Sequence, residues 1–177
     1  MAAATLERRQ ATELRATGRR LESYAATFNT DARIGTFVET ILPGAFRSAL
    51  ADDVLSLLDH DAGKVLGRTR SGTLRLTEDS RGLAFSLDLP DTAAGRDALA
   101  LAERGDLGGM SFGFNVPKGG ESWTGERRTL RTIGLKEISI VSAWPAYPDT
   151  SLALRSRDSM ADGRRRRLVL AELGAWA

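Results

Sequence analysis

From Leu21 onward the sequence breaks into short runs in which apolar and polar residues alternate, separated by Gly, Pro, Asp, Asn and Ser. A repeat of two is the feature that most constrains this chain, because a strand sends successive side chains to opposite faces whereas a helix buries every third or fourth residue. It predicts strands at 21–28, 35–41, 53–58, 64–69, 73–77, 83–89, 110–116, 127–133 and 135–142. Two helices interrupt them. One runs from Pro43 to about residue 51, its proline suited by fixed φ to a first turn. The other runs from Asp91 or Thr92 to Arg104, with a capping residue at its start, Ala94, Ala98, Leu101 and Ala102 at helical spacing, and Gly105 as a stop. Strands that resume after a helix point to a β-rich α+β fold, a curled or closed, mostly antiparallel β-barrel flanked by helices.

The ends differ in texture from the body. Residues 5–22 are rich in Ala, Leu, Arg and Glu without Pro, which favours helix by propensity. Residues 155–167 carry charge and almost nothing to bury, the composition of a flexible tail, although Leu168-Val169-Leu170-Ala171-Glu172-Leu173 has the pattern of a short amphipathic helix. The expected division is a basic helical or flexible N-terminal arm over 1–20, one domain over 21–154, and an Arg-rich flexible tail over 155–177. A chain of 177 residues has room for one domain with a core.

Charge follows the same division. Residues 1–20 hold five Arg against two Glu, and 155–177 hold six Arg against two Asp and one Glu, so each end is +3. The total of +2 therefore leaves the body at −4. A nucleic-acid-binding core would carry its basic patch on the folded part, so nucleic acid is not an expected partner. The chain has no cysteine and one histidine. That excludes a disulfide scaffold, a thiolate zinc site, a cysteine nucleophile and any site needing two imidazoles from one chain, and leaves covalent catalysis to a hydroxyl or an amine. No metal or cofactor is expected. No apolar run approaches the roughly 20 residues that span a bilayer, and the start lacks the basic-then-apolar order of a secretory signal. We expect a soluble, intracellular protein with no membrane partner.

Three residues are placed to carry chemistry. His60, in Leu57-Leu58-Asp59-His60-Asp61, stands at the end of an apolar strand, where an imidazole flanked by carboxylates can meet a partner from another strand. The plainer reading is a turn histidine between solvated aspartates. Ser111, in Gly108-Gly109-Met110-Ser111-Phe112-Gly113-Phe114, shares a strand face with Gly113, opposite the face of Met110, Phe112 and Phe114. Its hydroxyl then lies on a face stripped of bulk, and the glycines before it permit close approach. Gly109-Met110-Ser111-Phe112-Gly113 also fits the letters of the hydrolase Gly-x-Ser-x-Gly elbow, but the following Phe114-Asn115-Val116-Pro117 favours strand and turn over the helix that elbow requires. The plainer reading is a strand that packs two Phe rings. Glu137, in Leu135-Lys136-Glu137-Ile138-Ser139-Ile140-Val141, shares a face with Leu135, Ser139 and Val141, opposite Ile138 and Ile140. A half-buried carboxylate needs a partner: either the histidine, whose tautomer it would then hold, or, in a salt bridge, an arginine such as Arg131 or a cross-strand neighbour.

These segments occur in order with Tyr24-Ala25-Ala26-Thr27-Phe28-Asn29, Pro43-Gly44-Ala45-Phe46, Val65-Leu66-Gly67 and Pro145-Ala146-Tyr147-Pro148. Over about residues 24–150 the whole set resembles the prohead, or capsid maturation, serine proteases of tailed bacteriophages and prophages, which are related in fold to the herpesvirus assemblins. The resemblance implies an assemblin-like barrel, with Ser111 as nucleophile, His60 as general base and Glu137 as the acid that orients the imidazole. Asp59 and Asp61 stand as alternatives for the third place, and Arg131, through a water, as an aid to the oxyanion. It implies as substrate the scaffold segment of the major capsid protein or a separate scaffold protein, and self-processing. Further expectations are contact with the portal and shell interior, a homo-oligomer, and a location in the host bacterial cytoplasm inside the assembling prohead. The competing reading is a catalytically inert capsid-assembly or scaffold protein on the same fold. A third, an unrelated esterase, lacks the alternation of long helices with buried strands that esterases usually show.

Overall fold

The computed structural model describes residues 7–11 and 14–142. Their strands form three open sheets. The largest contains β1 (Glu7–Ala11), β10 (Gly109–Asn115), β13 (Gly134–Val141), β6 (Leu55–Leu58) and β7 (Asp61–Arg68), in that spatial order. The second runs β2 (Leu14–Thr17), β3 (Arg20–Thr27), β9 (Gly82–Asp88), β8 (Leu74–Glu78). The third runs β11 (Glu121–Thr124), β12 (Arg127–Leu130), β5 (Phe37–Ile41), β4 (Ala32–Ile34). Pairing is antiparallel throughout except for β12 with β5 and β13 with β6. The β-rich, mostly antiparallel expectation holds, but among the described residues no sheet closes into a barrel.

Every predicted strand within the body is found, shifted by a few residues. The 35–41 segment is β5 preceded by the short β4, the two joined through Gly35 at φ 58°. Of the predicted helices, the second forms as α1 (Ala93–Arg104), capped by the Thr92 side chain accepting from the Gly95 amide and ended by Gly105 at φ 74°. The first does not. Residues 43–51 form turns with a single 3-10 turn at Ala49–Ala51, because Gly44 sits at φ 90°, outside any α-helix, and the amides of Gly44 and Phe46 donate to the Glu78 carboxylate at 2.7 and 3.1 Å. The helix expected over 5–22 is also corrected. Its described part is strand and the turn at Gly18-Arg19, β1 pairing with β10 and β2 with β3, so free backbone edges of two sheets outweigh a helix propensity worth a few tenths of a kcal/mol per residue. The sheets thus take in residues that the division at 20/21 assigned to an arm. The predicted tail and the Pro145-Ala146-Tyr147-Pro148 segment lie outside the described residues.

The core is organised around a chain of aromatic rings. Phe28, at the end of β3, stacks on Phe46 with 6.2 Å between centroids; Phe46 meets Phe112 edge-on at 5.8 Å; Phe112 stacks on Phe114 at 5.3 Å. Glu78 holds the turn that carries Phe46, so β8, β3 and β10 are locked together through it. This packing commits one face of β10 to the core and leaves the other for Ser111 and Gly113.

Candidate active site

The site is built on β10 and β13. Across their antiparallel ladder Ser111 stands opposite Ser139, and Gly113 opposite Glu137. Directly opposed residues share a sheet face, so Ser111, Gly113, Glu137 and Ser139 form one polar patch behind the Phe112 and Phe114 layer. Leu135 is not part of it. A register shift after Gly113 sets Leu135 opposite Phe114, on the core side, and leaves Lys136 exposed as the extra residue. The expectation that Leu135 shares the face of Glu137 fails for that reason, since strict alternation cannot anticipate a bulge.

His60 arrives from the other side of β13. There β6 runs parallel to β13, and β6 and β7 form a hairpin whose two turn residues are Asp59 and His60. Both are left-handed, at φ 54° and 60°, as a two-residue I′ turn demands. Asp59 ties this turn to β13: its amide donates to the Ile140 carbonyl at 2.8 Å, and its carboxylate accepts from the amide and hydroxyl of Ser142 at 2.8 and 2.6 Å. From this anchored turn His60 Nδ1 lies 2.7 Å from Glu137 Oε1. The imidazole retains 21% exposure and the carboxylate 7%. An ionised carboxylate only accepts, so Nδ1 is the donor of this bond, and in a neutral ring Nε2 is then the nitrogen with the lone pair. The imidazole thus meets a carboxylate whose own strand position shares a sheet face with Ser111.

Glu137 is a buried carboxylate whose charge is met by specific partners. Besides His60, the Ser139 hydroxyl donates to its Oε2. Gly113 supplies the room: a Cβ there would overlap Oε1 and lie 3.1 Å from Cδ and Cγ. Of the two alternatives for the carboxylate beside His60, Asp59 is committed to Ser142, and Asp61 accepts from the Gly63 amide at 2.8 Å and pairs with Lys64 at 3.4 Å. Arg131 is exposed in the segment between β12 and β13, its amide donating to the Gly120 carbonyl. The structure therefore brings two of the three predicted residues, His60 and Glu137, into contact, and places the third, Ser111, on the same face of the adjacent strand. Sequence reasoning assigned no role to Ser139, whose two-residue spacing from Glu137 was the available signal, or to Gly113 as a vacancy for a carboxylate. Among the described residues no group of three His, Asp or Glu side chains is arranged to hold a metal, and no helix is long and apolar enough to cross a membrane.

Comparison with known proteins adds an independent line. A family model described as caudovirus prohead serine protease matches residues 4–164. The prohead protease of Enterobacteria phage HK97 is 33% identical over 138 residues, which are 75% of this chain and 58% of that protein. The chain thus aligns with somewhat less than three fifths of that relative's length. No solved structure gives a significant match.

Proposed function

The chain belongs to the caudovirus prohead serine protease family, and on that premise we propose that it is a serine endopeptidase of capsid maturation in which Ser111 is the nucleophile, His60 the general base and Glu137 the orienting acid. The observation that carries the assignment is the 2.7 Å contact between Glu137 Oε1 and Nδ1 of the chain's one histidine, on the sheet face of Ser111. With Nδ1 protonated toward Glu137, Nε2 is free to take a proton from the Ser111 hydroxyl as Oγ attacks the scissile carbonyl carbon. The imidazolium so formed is stabilised by the buried carboxylate and returns the proton to the leaving amine. A water, deprotonated by the same Nε2, then attacks the acyl-enzyme ester and releases the acid product and Ser111.

The substrate in this reading is the scaffold segment of the major capsid protein or a separate scaffold protein, cut inside the assembling shell, with self-processing. The acidic body between basic ends supports a role for the Arg164–Arg167 run in tethering to the shell interior. The three open sheets are read as a curled relative of the assemblin-like barrel, supported by the resemblance and by the contacts of β3 with β1 and β10. The test is co-expression with the cognate capsid precursor, followed by intact-mass spectrometry. The wild-type chain should give shortened precursor, Ser111→Ala and His60→Ala none, and Glu137→Gln partial conversion. Undiminished processing by Ser111→Ala would remove that residue from the mechanism.

A further inference from the structure

We propose that Ser139 and Gly113 are positioning residues for the acid of the triad: Ser139 by donating its hydroxyl hydrogen to Glu137 Oε2, and Gly113 by omitting a side chain, together hold Oε1 on Nδ1 of His60. The inference rests on the catalytic reading of Ser111, His60 and Glu137 for its kinetic consequence, though not for its geometry. A glutamate has three side-chain torsions, and its last is broad, so burial alone does not select which oxygen faces the imidazole. The Ser139 hydroxyl does. Ser139 is fully buried, so Glu137 rather than water takes its hydrogen, and this bond to one oxygen leaves the other directed at His60.

Gly113 acts from the opposite strand. Its backbone is not left-handed, in contrast to Gly109 at φ 134° in the same strand, so nothing in its conformation demands glycine. What excludes a side chain is the Glu137 carboxylate itself, which fills the space a Cβ would take. Two residues facing each other's neighbours across one ladder, Ser139 opposite Ser111 and Gly113 opposite Glu137, thus fix the same group from two directions.

The chain's one histidine makes the test direct. In the full-length chain carrying Ser111→Ala, so that it stays uncut, two-bond 1H–15N correlations at about pH 8.5, above the ordinary histidine range, report the tautomer of His60 alone. The Nδ1–H form should dominate. Adding Ser139→Ala should lower its share, and adding Gly113→Ala should lower it further by pushing the carboxylate off the ring. In the otherwise wild-type enzyme, Ser139→Ala should reduce kcat about 10-fold with KM within about 2-fold, and Gly113→Ala about 100-fold, the scale of a misplaced catalytic group. Combined with Glu137→Gln, Ser139→Ala should cost nothing more, since the carboxylate it positions is already gone. An unchanged tautomer ratio in Ser139→Ala, or an equal activity loss in the Glu137→Gln background, overturns the proposal. Should Gly113→Ala fail to fold, the two Ser139→Ala measurements decide the matter without it. Cleavage that survives Ser111→Ala would instead overturn the catalytic reading, and the tautomer ratio would still decide the positioning of Glu137.

Discussion

Replacing Asp59 separates the two things it does, which are to hold the β6–β7 turn against β13 and to accept a left-handed backbone. Its carboxylate takes two hydrogen bonds from Ser142, from the amide at 2.8 Å and the hydroxyl at 2.6 Å. The site is exposed, so each bond falls at the modest end, about 1 kcal/mol. At φ 54° a residue with a plain Cβ costs about 1 kcal/mol more than glycine. Asp59→Ala should therefore lose about 3 kcal/mol, Asp59→Gly about 2, and Asp59→Asn, which tolerates the left-handed region and keeps one acceptor, about 1. Urea unfolding at pH 7, followed by tryptophan emission, gives the three values. The order Ala, Gly, Asn in decreasing damage is the signature, and proteolytic activity should fall in the same order because the next residue is His60. If glycine proved as damaging as alanine, backbone strain would play no part at the turn. If all three variants stayed within about 0.5 kcal/mol of wild type, the ordinary range for surface changes, Asp59 would not be the anchor described.

Phe46→Ala should cost about 3–5 kcal/mol, since the ring is fully buried between Phe28 and Phe112; a loss below 1 kcal/mol in urea titration would show that the aromatic chain does not tie the sheets together. Arg128 is buried in contact with Glu39, at 2.9 Å, and Glu121, at 2.5 Å. Its replacement by alanine should cost about 3–5 kcal/mol by leaving the buried Glu39 carboxylate without this guanidinium, and the double change Arg128→Met with Glu39→Leu should recover more than half; no recovery would contradict a charge-based cause. The Tyr24 hydroxyl, with the amides of Arg81 and Gly82, holds the Asp79 carboxyl below the usual carboxylate range. A depressed folded pKa stabilises above the unfolded value and is lost as pH falls through the folded one. The gap in urea midpoint between wild type and Asp79→Asn should therefore narrow steadily from about pH 5 downward; a gap independent of pH would locate the effect outside ionisation.

Much of this was legible because alternation is a local signal. Runs such as Gly109–Asn115 and Gly134–Val141 announce strands, and Thr92 with Gly105 announces a helix, from neighbours in sequence alone. What escaped depends on distant partners. The 43–51 segment reads as a helix until Glu78 claims its amides, and Glu7–Ala11 and Leu14–Thr17 read as helix until the edges of β10 and β3 pair with them. At the site, Glu137 is visibly a carboxylate in need of a partner, but which partner depended on a turn that reaches over β13. A one-residue bulge moved Leu135 to the core without leaving a mark in the pattern. The vacancy at Gly113 is invisible for a similar reason, because glycine in a strand has several causes and only the opposite side chain distinguishes them.

The central claim, that His60 activates Ser111, meets its most direct test in labelling with a fluorophosphonate, whose phosphorus is attacked by an activated serine Oγ while fluoride leaves and the proton passes to Nε2. Peptide mass mapping of the full chain should place one phosphonyl adduct on Ser111 in the wild type, and that adduct should disappear in His60→Ala while the fold, followed by circular dichroism, persists. An adduct on another residue, or labelling of Ser111 that proceeds equally well without His60, would contradict it.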